Sequence, residues 1–311
     1  MPHHQGIVPS LRAALIYNPA AGGSSAASSD QLLAALAEAG YEPDHRATES
    51  EADLDAALAA PADLVVVAGG DGTVRAVASR IAGRLPLAPV PMGTSNNIAR
   101  SLGLTGSPLE VIAGLRSPRR NPFDLVRATG PWGEVTFLEA LGWGLFADTL
   151  KRYDPDAPKS PVRGAQAVIG ALTNLEARAY RLSFDGERLE GRYLLVEAMN
   201  TPMTGNSMRL APNASTSDGL LDVVLIEEAD GIGLLEYFSH FVAGTLEALP
   251  SVTIRRCRRL SLEWDGSPVH IDAEVKSVNE IPTSVLIELE VLAGCLEMWL
   301  PAEVVLSPSA P

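Results

Sequence analysis

Residues 64–75, Leu-Val-Val-Val-Ala-Gly-Gly-Asp-Gly-Thr-Val-Arg, constrain the fold more than any other stretch of this chain. An apolar run ends in glycines and passes at once into a helical pattern. A buried strand that feeds directly into a helix start is the repeating step of a parallel α/β sheet. The glycines permit positive φ and bring backbone N–H groups close to an anion, and the helix start adds its positive dipole end. Asp71 would repel a bare phosphate. Its carboxylate makes sense with a divalent cation in between, or as a group that orients or accepts a proton. The same residues can also form an ordinary tight turn, because Gly-Gly and Asp-Gly are common turn dipeptides.

Two further turns share this placement. The segment Leu87–Pro91 meets Met92-Gly93-Thr94-Ser95-Asn96-Asn97, and Ile98, Ala99 and Leu102 then follow at helical spacing. Thr94, Ser95 and Asn96 can cap that helix, and Thr94 and Asn96 can also contact a nucleotide. The first apolar run, Ala13–Tyr17, ends in Asn18-Pro19-Ala20-Ala21-Gly22-Gly23. In a parallel sheet the ends of successive strands lie on one edge, which is where ligands bind.

The periodicity divides the chain. Strand-like Ala13–Tyr17, Tyr41–Arg46, Leu64–Ala68 and Leu87–Pro91 alternate with helical spacing after Asp30, over Glu51–Ala59, Thr73–Ala82, Ser95–Leu102 and Pro108–Leu115. From about Asp124 the period is mostly two: Phe123–Arg127, Val135–Ala140, Tyr180–Phe184, Tyr193–Met199, Leu221–Ile226, Arg258–Glu263, Pro268–Asp272 and Ser284–Glu290. Helical stretches at Pro161–Ala177 and Ile232–Gly244 interrupt it, and Trp132, Gly133 and Asp154–Pro161 read as surface loops. The fold class expected is α/β plus β: a parallel-sheet α/β domain over 1–126, then a mainly antiparallel β-sandwich domain over 127–295, with 296–311 returning to the first domain.

The motifs Asn-Pro-x-x-Gly from Asn18, Gly-Gly-Asp-Gly-Thr from Gly69 and Gly-Thr-x-Asn-x-x-Ala-Arg from Gly93 come in that order. Together they resemble the diacylglycerol kinase catalytic-domain family, which includes bacterial lipid kinases, sphingosine kinases and ceramide kinases and is distantly similar to NAD kinases. The resemblance implies a lipid kinase that uses ATP and Mg²⁺, with the nucleotide in a crevice between the domains. Asn18, Thr48, Gly69, Gly70, Asp71, Gly72, Thr73, Val74, Arg75, Gly93, Thr94 and Asn96 would then bind the nucleotide, and Asp71 would bind the catalytic magnesium directly or through water. Asp124, in Pro-Phe-Asp-Leu, matches an aspartate at the end of that family's first domain and could join the magnesium network; its other reading is a strand-start Asp that caps a turn.

Three places in the second half carry further matches. In Ser215-Thr-Ser-Asp218-Gly-Leu220, the resemblance implies a structural magnesium held by the Asp218 side chain and the Ser215 and Leu220 carbonyls. Asp218-Gly219 is also an ordinary hairpin signal. Ile271-Asp272-Ala273-Glu274 stands where the family has Asp-Gly-Glu, and Glu274 is the implied general base. If the central residue needs positive φ, alanine carries a steric cost there. The stretch Leu138–Asp148 is expected to floor the cleft, and Trp143, Phe146, Met199, Met203, Met208 and Phe238 are either lipid-lining residues or plain core. A second departure is Asn97, where many members have aspartate.

A net charge of −14 argues against a nucleic-acid partner. It also argues against simple electrostatic tethering to anionic lipid. Arg116, Arg119, Arg120 and the run Arg255, Arg256, Arg258, Arg259 are either a local basic patch or solvated edges. Two cysteines, Cys257 and Cys295, fit reduced thiols rather than a disulfide framework. With no leader pattern and no apolar stretch of membrane-spanning length, the expected setting is cytoplasmic, peripheral to a membrane that carries the lipid acceptor. Which lipid is phosphorylated, and whether the chain is a homodimer, stay open. The rival readings are an NAD kinase-like enzyme acting on a soluble metabolite and a nucleotide- or lipid-binding sensor without turnover.

Overall fold

A computed structural model of the chain describes residues 10–19, 27–48, 50–144, 146–148, 176–205, 208–228, 234–276 and 285–302. The chain divides into two compact units, 1–122 with 296–311, and 123–295.

The first unit holds β1 (Arg12–Tyr17), β2 (Glu42–His45), β3 (Leu64–Gly69) and β4 (Leu87–Pro91). They pair in parallel, β2–β1–β3–β4, with Ala13 opposite Leu64 and Val65 opposite Leu87. β3 is buried along its whole length, so it reads as one continuous apolar run. The helices are α1 (Ser29–Glu38), α2 (Leu54–Ala59, after a 3₁₀ turn at Glu51–Asp53), α3 (Asp71–Ile81), α4 (Asn97–Ser101) and α5 (Pro108–Gly114). Two starts are fixed by reciprocal caps, Ser28 with Gln31 and Ser107 with Glu110. Leu32 and Leu36 of α1 and Val111 and Ile112 of α5 pack with β1, β3 and β4 around Tyr41, whose hydroxyl donates to the Leu115 carbonyl at 2.7 Å.

The second unit is antiparallel. Its strands are β5 (Pro118–Gly130), β6 (Gly133–Phe137), β7 (Ala140–Gly144), β8 (Arg178–Phe184), β9 (Glu187–Met199), the short pair β10 (Met203–Thr204) and β11 (Met208–Arg209), β12 (Leu221–Glu227), β13 (Val252–Cys257), β14 (Arg259–Trp264), β15 (Val269–Ile271), β16 (Glu274–Lys276) and β17 (Val285–Pro301). Helix α6 (Leu234–Ala243) lies between β12 and β13. β9 is the hub, pairing with β7, β8 and β12. One core gathers Phe137, Trp143, Leu182, Leu225, Trp264 and Ile287; a second gathers Ala140, Phe146, Leu195, Met199, Leu210 and Tyr237. β17 starts in this unit beside β14; its last residues belong to the first unit, where Met298 pairs in parallel with Leu87.

Several expectations shift. The helix read over 95–102 is only Asn97–Ser101, because Asn96 sits in the left-handed region at φ 49°. The strand read over Val135–Ala140 breaks at 138–139, where the backbone turns its N–H groups toward Asp272. Trp132 is not a bare loop residue: it packs edge-on against Trp264 with ring centroids 5.5 Å apart. The loop read at Asp154–Pro161 and nearly all of the helix read at Pro161–Ala177 lie outside the described residues.

Candidate active site

In the first unit, the turns after β1, β3 and β4 are bound to one another. Gly69 ends β3, Gly70 stands at the N-cap of α3, and Asp71 opens that helix. A Cβ on Gly69 would stand 2.7 Å from the Thr73 Cβ, and one on Gly93 would stand 2.7 Å from the Gly70 Cα and 2.8 Å from the Asn96 Oδ1. Bare backbone at 93 lets the two turns touch, and a Cβ at 70 would also be tight, 3.3 Å from the Gly93 Cα. The Asn96 side chain closes its own turn, accepting the Gly93 N–H and donating to the Gly93 carbonyl, both at 2.8 Å. The Asn18 Nδ2 donates to the Thr73 Oγ1 at 3.0 Å, which ties in the first turn.

Asp71 joins the second turn to the third. Its Oδ1 accepts the Ile98 N–H at 3.0 Å. Burial pushes the carboxyl upward from its ordinary range, and the amides of Ile98, Asn97 and Asn96 oppose that push. Helix α4 is therefore capped by a residue from another turn, whereas Asn96, at the N-cap position, makes no side-chain cap bond. Nothing in the 93–97 segment signals this link; the only sequence clue is an acidic residue among glycines one strand earlier.

The remaining nucleotide candidates divide by position. Gly72 and Thr94 are exposed, Arg75 and Thr48 are half-buried, and Val74 is core. Among the hydrogen bonds of the described residues, none links Thr48 to the three turns. Asn97 is 2 % exposed at the first turn of α4, so a short polar residue is buried there.

In the second unit, Asp124 is spent on structure. Its Oδ1 accepts the Gly294 N–H at 2.6 Å, its Oδ2 accepts the Gly219 N–H at 2.7 Å, and its own N–H donates to the Thr216 carbonyl at 2.7 Å. Burial raises its pKa against these amides. The structure thus brings Asp124 to the Ser215–Leu220 loop. In that loop the Asp218 Oδ1 accepts the Leu220 N–H at 3.1 Å, and its Oδ2 pairs with Arg256. The Arg256 Nε also stands 3.6 Å from the buried Asp222. Burial raises the Asp222 pKa and Arg256 opposes it. Arg256, which belongs to β13, is thus the cation that Asp218 and Asp222 meet among the described residues. Arg255 and Arg259 are likewise paired, with Glu187 and Glu290, so this arginine run is not an open basic patch.

Glu274 starts β16 and is half-buried, and the Lys276 Nζ donates to its Oε2 at 2.8 Å. Ile271 pairs with Glu274 across a two-residue turn. The left-handed residue of that turn is Asp272, at φ 50°, and not Ala273. The alanine therefore carries no left-handed strain. The Asp272 carboxylate gathers the N–H groups of Leu138, Glu139 and Ala140 at 3.3, 2.9 and 3.2 Å. Trp143 and Met199 are fully buried core, and Phe146 and Met203 nearly so. The side chain of Phe238 lies outside the described residues.

Residues 12–128 match the family model "Diacylglycerol kinase catalytic domain", and 154–300 match "YegS C-terminal NAD kinase beta sandwich-like domain". A protein of Stenotrophomonas maltophilia (strain K279a) named "Probable lipid kinase YegS-like" is 32% identical over 75% of this chain and 80% of its own length. A diacylglycerol kinase of Bacillus subtilis (strain 168) is 28% identical over 70% of this chain and 75% of its own. Among solved structures, one from Bacillus anthracis str. Sterne superposes with a TM-score of 0.74 at 23% identity, covering 95% of this chain and 98% of that one. An NAD kinase from Archaeoglobus fulgidus in complex with ATP gives 0.52 at 14% identity, covering 94% and 95%. These likenesses agree with the α/β unit and the antiparallel unit described above.

Proposed function

The chain belongs to the diacylglycerol kinase catalytic-domain family, and from that premise we propose that it is an ATP-dependent kinase of a lipid hydroxyl, diacylglycerol-like or sphingoid-like, acting in the cytoplasm on lipid at a membrane surface. The observation that carries this reading is the joined pair of glycine turns at Gly69–Thr73 and Gly93–Asn97, locked by the Asp71–Ile98 bond. Backbone N–H groups at the ends of parallel strands suit phosphate, and a fixed, pre-shaped cradle is what phosphoryl transfer asks of a protein.

In this reading the side chains of Asn18, Thr73 and Asn96 shape the turns, and the backbone from Gly69 to Arg75, together with Gly93, Thr94 and Thr48, receives the nucleotide. Asp71, between the glycines of the second turn, offers hard carboxylate oxygens, a donor type that fits Mg²⁺. The metal, when bound with the nucleotide, would neutralise phosphate charge. Glu274 accepts the proton of the lipid hydroxyl on a carboxylate oxygen while that hydroxyl oxygen bonds to the γ-phosphorus and ADP departs. Lys276 orients the Glu274 carboxylate through its 2.8 Å contact.

The test is transfer from γ-labelled ATP, with Mg²⁺, to mixed micelles carrying diacylglycerol, sphingosine or ceramide, with NAD offered in parallel. Label in the lipid extract is the expected result. Label in the NAD product alone, or nucleotide binding without transfer to any acceptor, overturns the reading.

A further inference from the structure

His270, Gly142 and Glu197 lie opposite one another on the neighbouring strands β15, β7 and β9. Residues so paired point to one face of the sheet. The glycine in the middle leaves a notch, for a Cβ at 142 would fall 1.8 Å from the Glu197 Oε2. Through that notch the Glu197 Oε1 comes within 2.8 Å of the His270 Nε2, with both side chains at most 2% exposed. The surroundings are apolar. Leu195 and Met199 flank Glu197 on its face, and the Phe146 ring meets the imidazole edge-on with centroids 6.4 Å apart. A buried ion pair of this kind is seldom more stabilising than apolar residues of the same volume, so stability alone gives no reason for it.

The other ring nitrogen gives one. The His270 Nδ1 stands 2.9 Å from the Asp272 carbonyl oxygen and donates to it. Asp272 is the left-handed residue of the turn before Glu274, and its N–H and carboxylate are both bound to the backbone of 138–140. Its carbonyl is the side of the residue that leads on to Ala273 and Glu274, and His270 holds that side.

We infer that Glu197 and His270 form a positioning pair: Glu197 fixes the imidazole through the Gly142 notch, and the imidazole fixes the Asp272–Glu274 turn, and so the Glu274 carboxylate. This rests on the reading of Glu274 as the proton acceptor; the turn-holding itself does not depend on that reading.

Two near-isosteres of histidine separate this role from a purely structural one. In His270→Asn the amide nitrogen takes the place of Nδ1, keeping the Asp272 bond and leaving Glu197 unpaired. In His270→Gln the reverse holds. The pair predicts that His270→Gln loses about tenfold or more in kcat with the KM for ATP within about twofold, while His270→Asn is less stable but keeps its kcat per folded molecule. Amide exchange at 272–276, read by mass spectrometry on the full chain, should rise about tenfold in His270→Gln and stay near wild type in His270→Asn. The opposite ranking, or equal exchange in both variants, overturns the proposal. Exchange needs no turnover, so a wild-type chain that phosphorylates no lipid would defeat the functional reading while the exchange result still decides the pair.

Discussion

The Asp71 carboxylate caps the helix that begins at Asn97, accepting the Ile98 N–H at 3.0 Å. One side chain therefore holds two turns of the proposed phosphate cradle together. Asp71→Asn keeps an oxygen for Ile98 and removes the charge. We expect its melting temperature to stay near wild type while lipid phosphorylation falls about 10²-fold or more, the scale of losing one electrostatic stabiliser. Asp71→Ala should also cost about 1 kcal/mol of stability, as other lost caps do. Calorimetry and the micelle assay on both variants check this.

Gly93 has no room to grow. The 2.7 Å and 2.8 Å approaches to the Gly70 backbone and the Asn96 amide mean that a methyl group must push the two turns apart. Gly93→Ala should lose about 1–3 kcal/mol, the usual cost of overpacking, and weaken ATP binding as well. Denaturant titration and calorimetric ATP titration read the two effects separately.

Arg256 serves as the counter-ion of Asp218 and Asp222. The stability of the wild-type chain should therefore be the same with Mg²⁺ and with EDTA. Arg256→Met leaves two neighbouring carboxylates without their cation. Because Arg256 is about half exposed, at 47%, the loss should be about 1–2 kcal/mol and not the full cost of a buried pair. Millimolar Mg²⁺ should restore part of it. A variant whose melting temperature ignores Mg²⁺ would remove the counter-ion role.

Burial alone would lower the His270 pKa, but the Glu197 carboxylate outweighs it, and the net direction is up. A raised folded-state value means the pair contributes fully below the ordinary histidine value, about 6.5, and loses that contribution as pH rises through the folded value. The stability gap between wild type and His270→Gln should thus narrow as pH increases from 6 to 9, by at most about 1.4 kcal/mol per pH unit for one proton. Denaturation curves across that range give the sign.

Ala273 is not the left-handed residue of its turn. Ala273→Gly should accordingly leave kcat within about twofold and cost about 0.4–1 kcal/mol through greater freedom of the unfolded chain. A large gain in kcat would show that the alanine does restrain the site.

The parallel unit was legible in the sequence because each strand is a continuous apolar run that stops at a turn signal, as Leu64–Gly69 does before Asp71. The antiparallel unit was legible through alternation, as in Arg259–Trp264. What escaped was pairing at a distance. Ser, Thr and Asn around residue 95 are good local caps, and nothing nearby says that an aspartate from another turn wins that role. Glu197 and His270 each look like one odd polar residue in a strand. The clue was that a charged residue sat on a fully buried face with a glycine on the strand beside it, and reading it requires the register. The concern over Ala273 assumed that the turn's positive φ falls on its second residue; it falls on Asp272.

The grip of Asp124 has a consequence for how the chain is made. Its carboxylate is complete only when it has found Gly294, 170 residues further on. A polypeptide emerging from the ribosome must wait a further 170 residues before that acid can be sheltered, and contacts so far apart in sequence form slowly. Until then the second unit carries an unsatisfied acid in what will become its interior. A premature stop before β17 would therefore yield not a shorter enzyme but a nascent product that quality control removes.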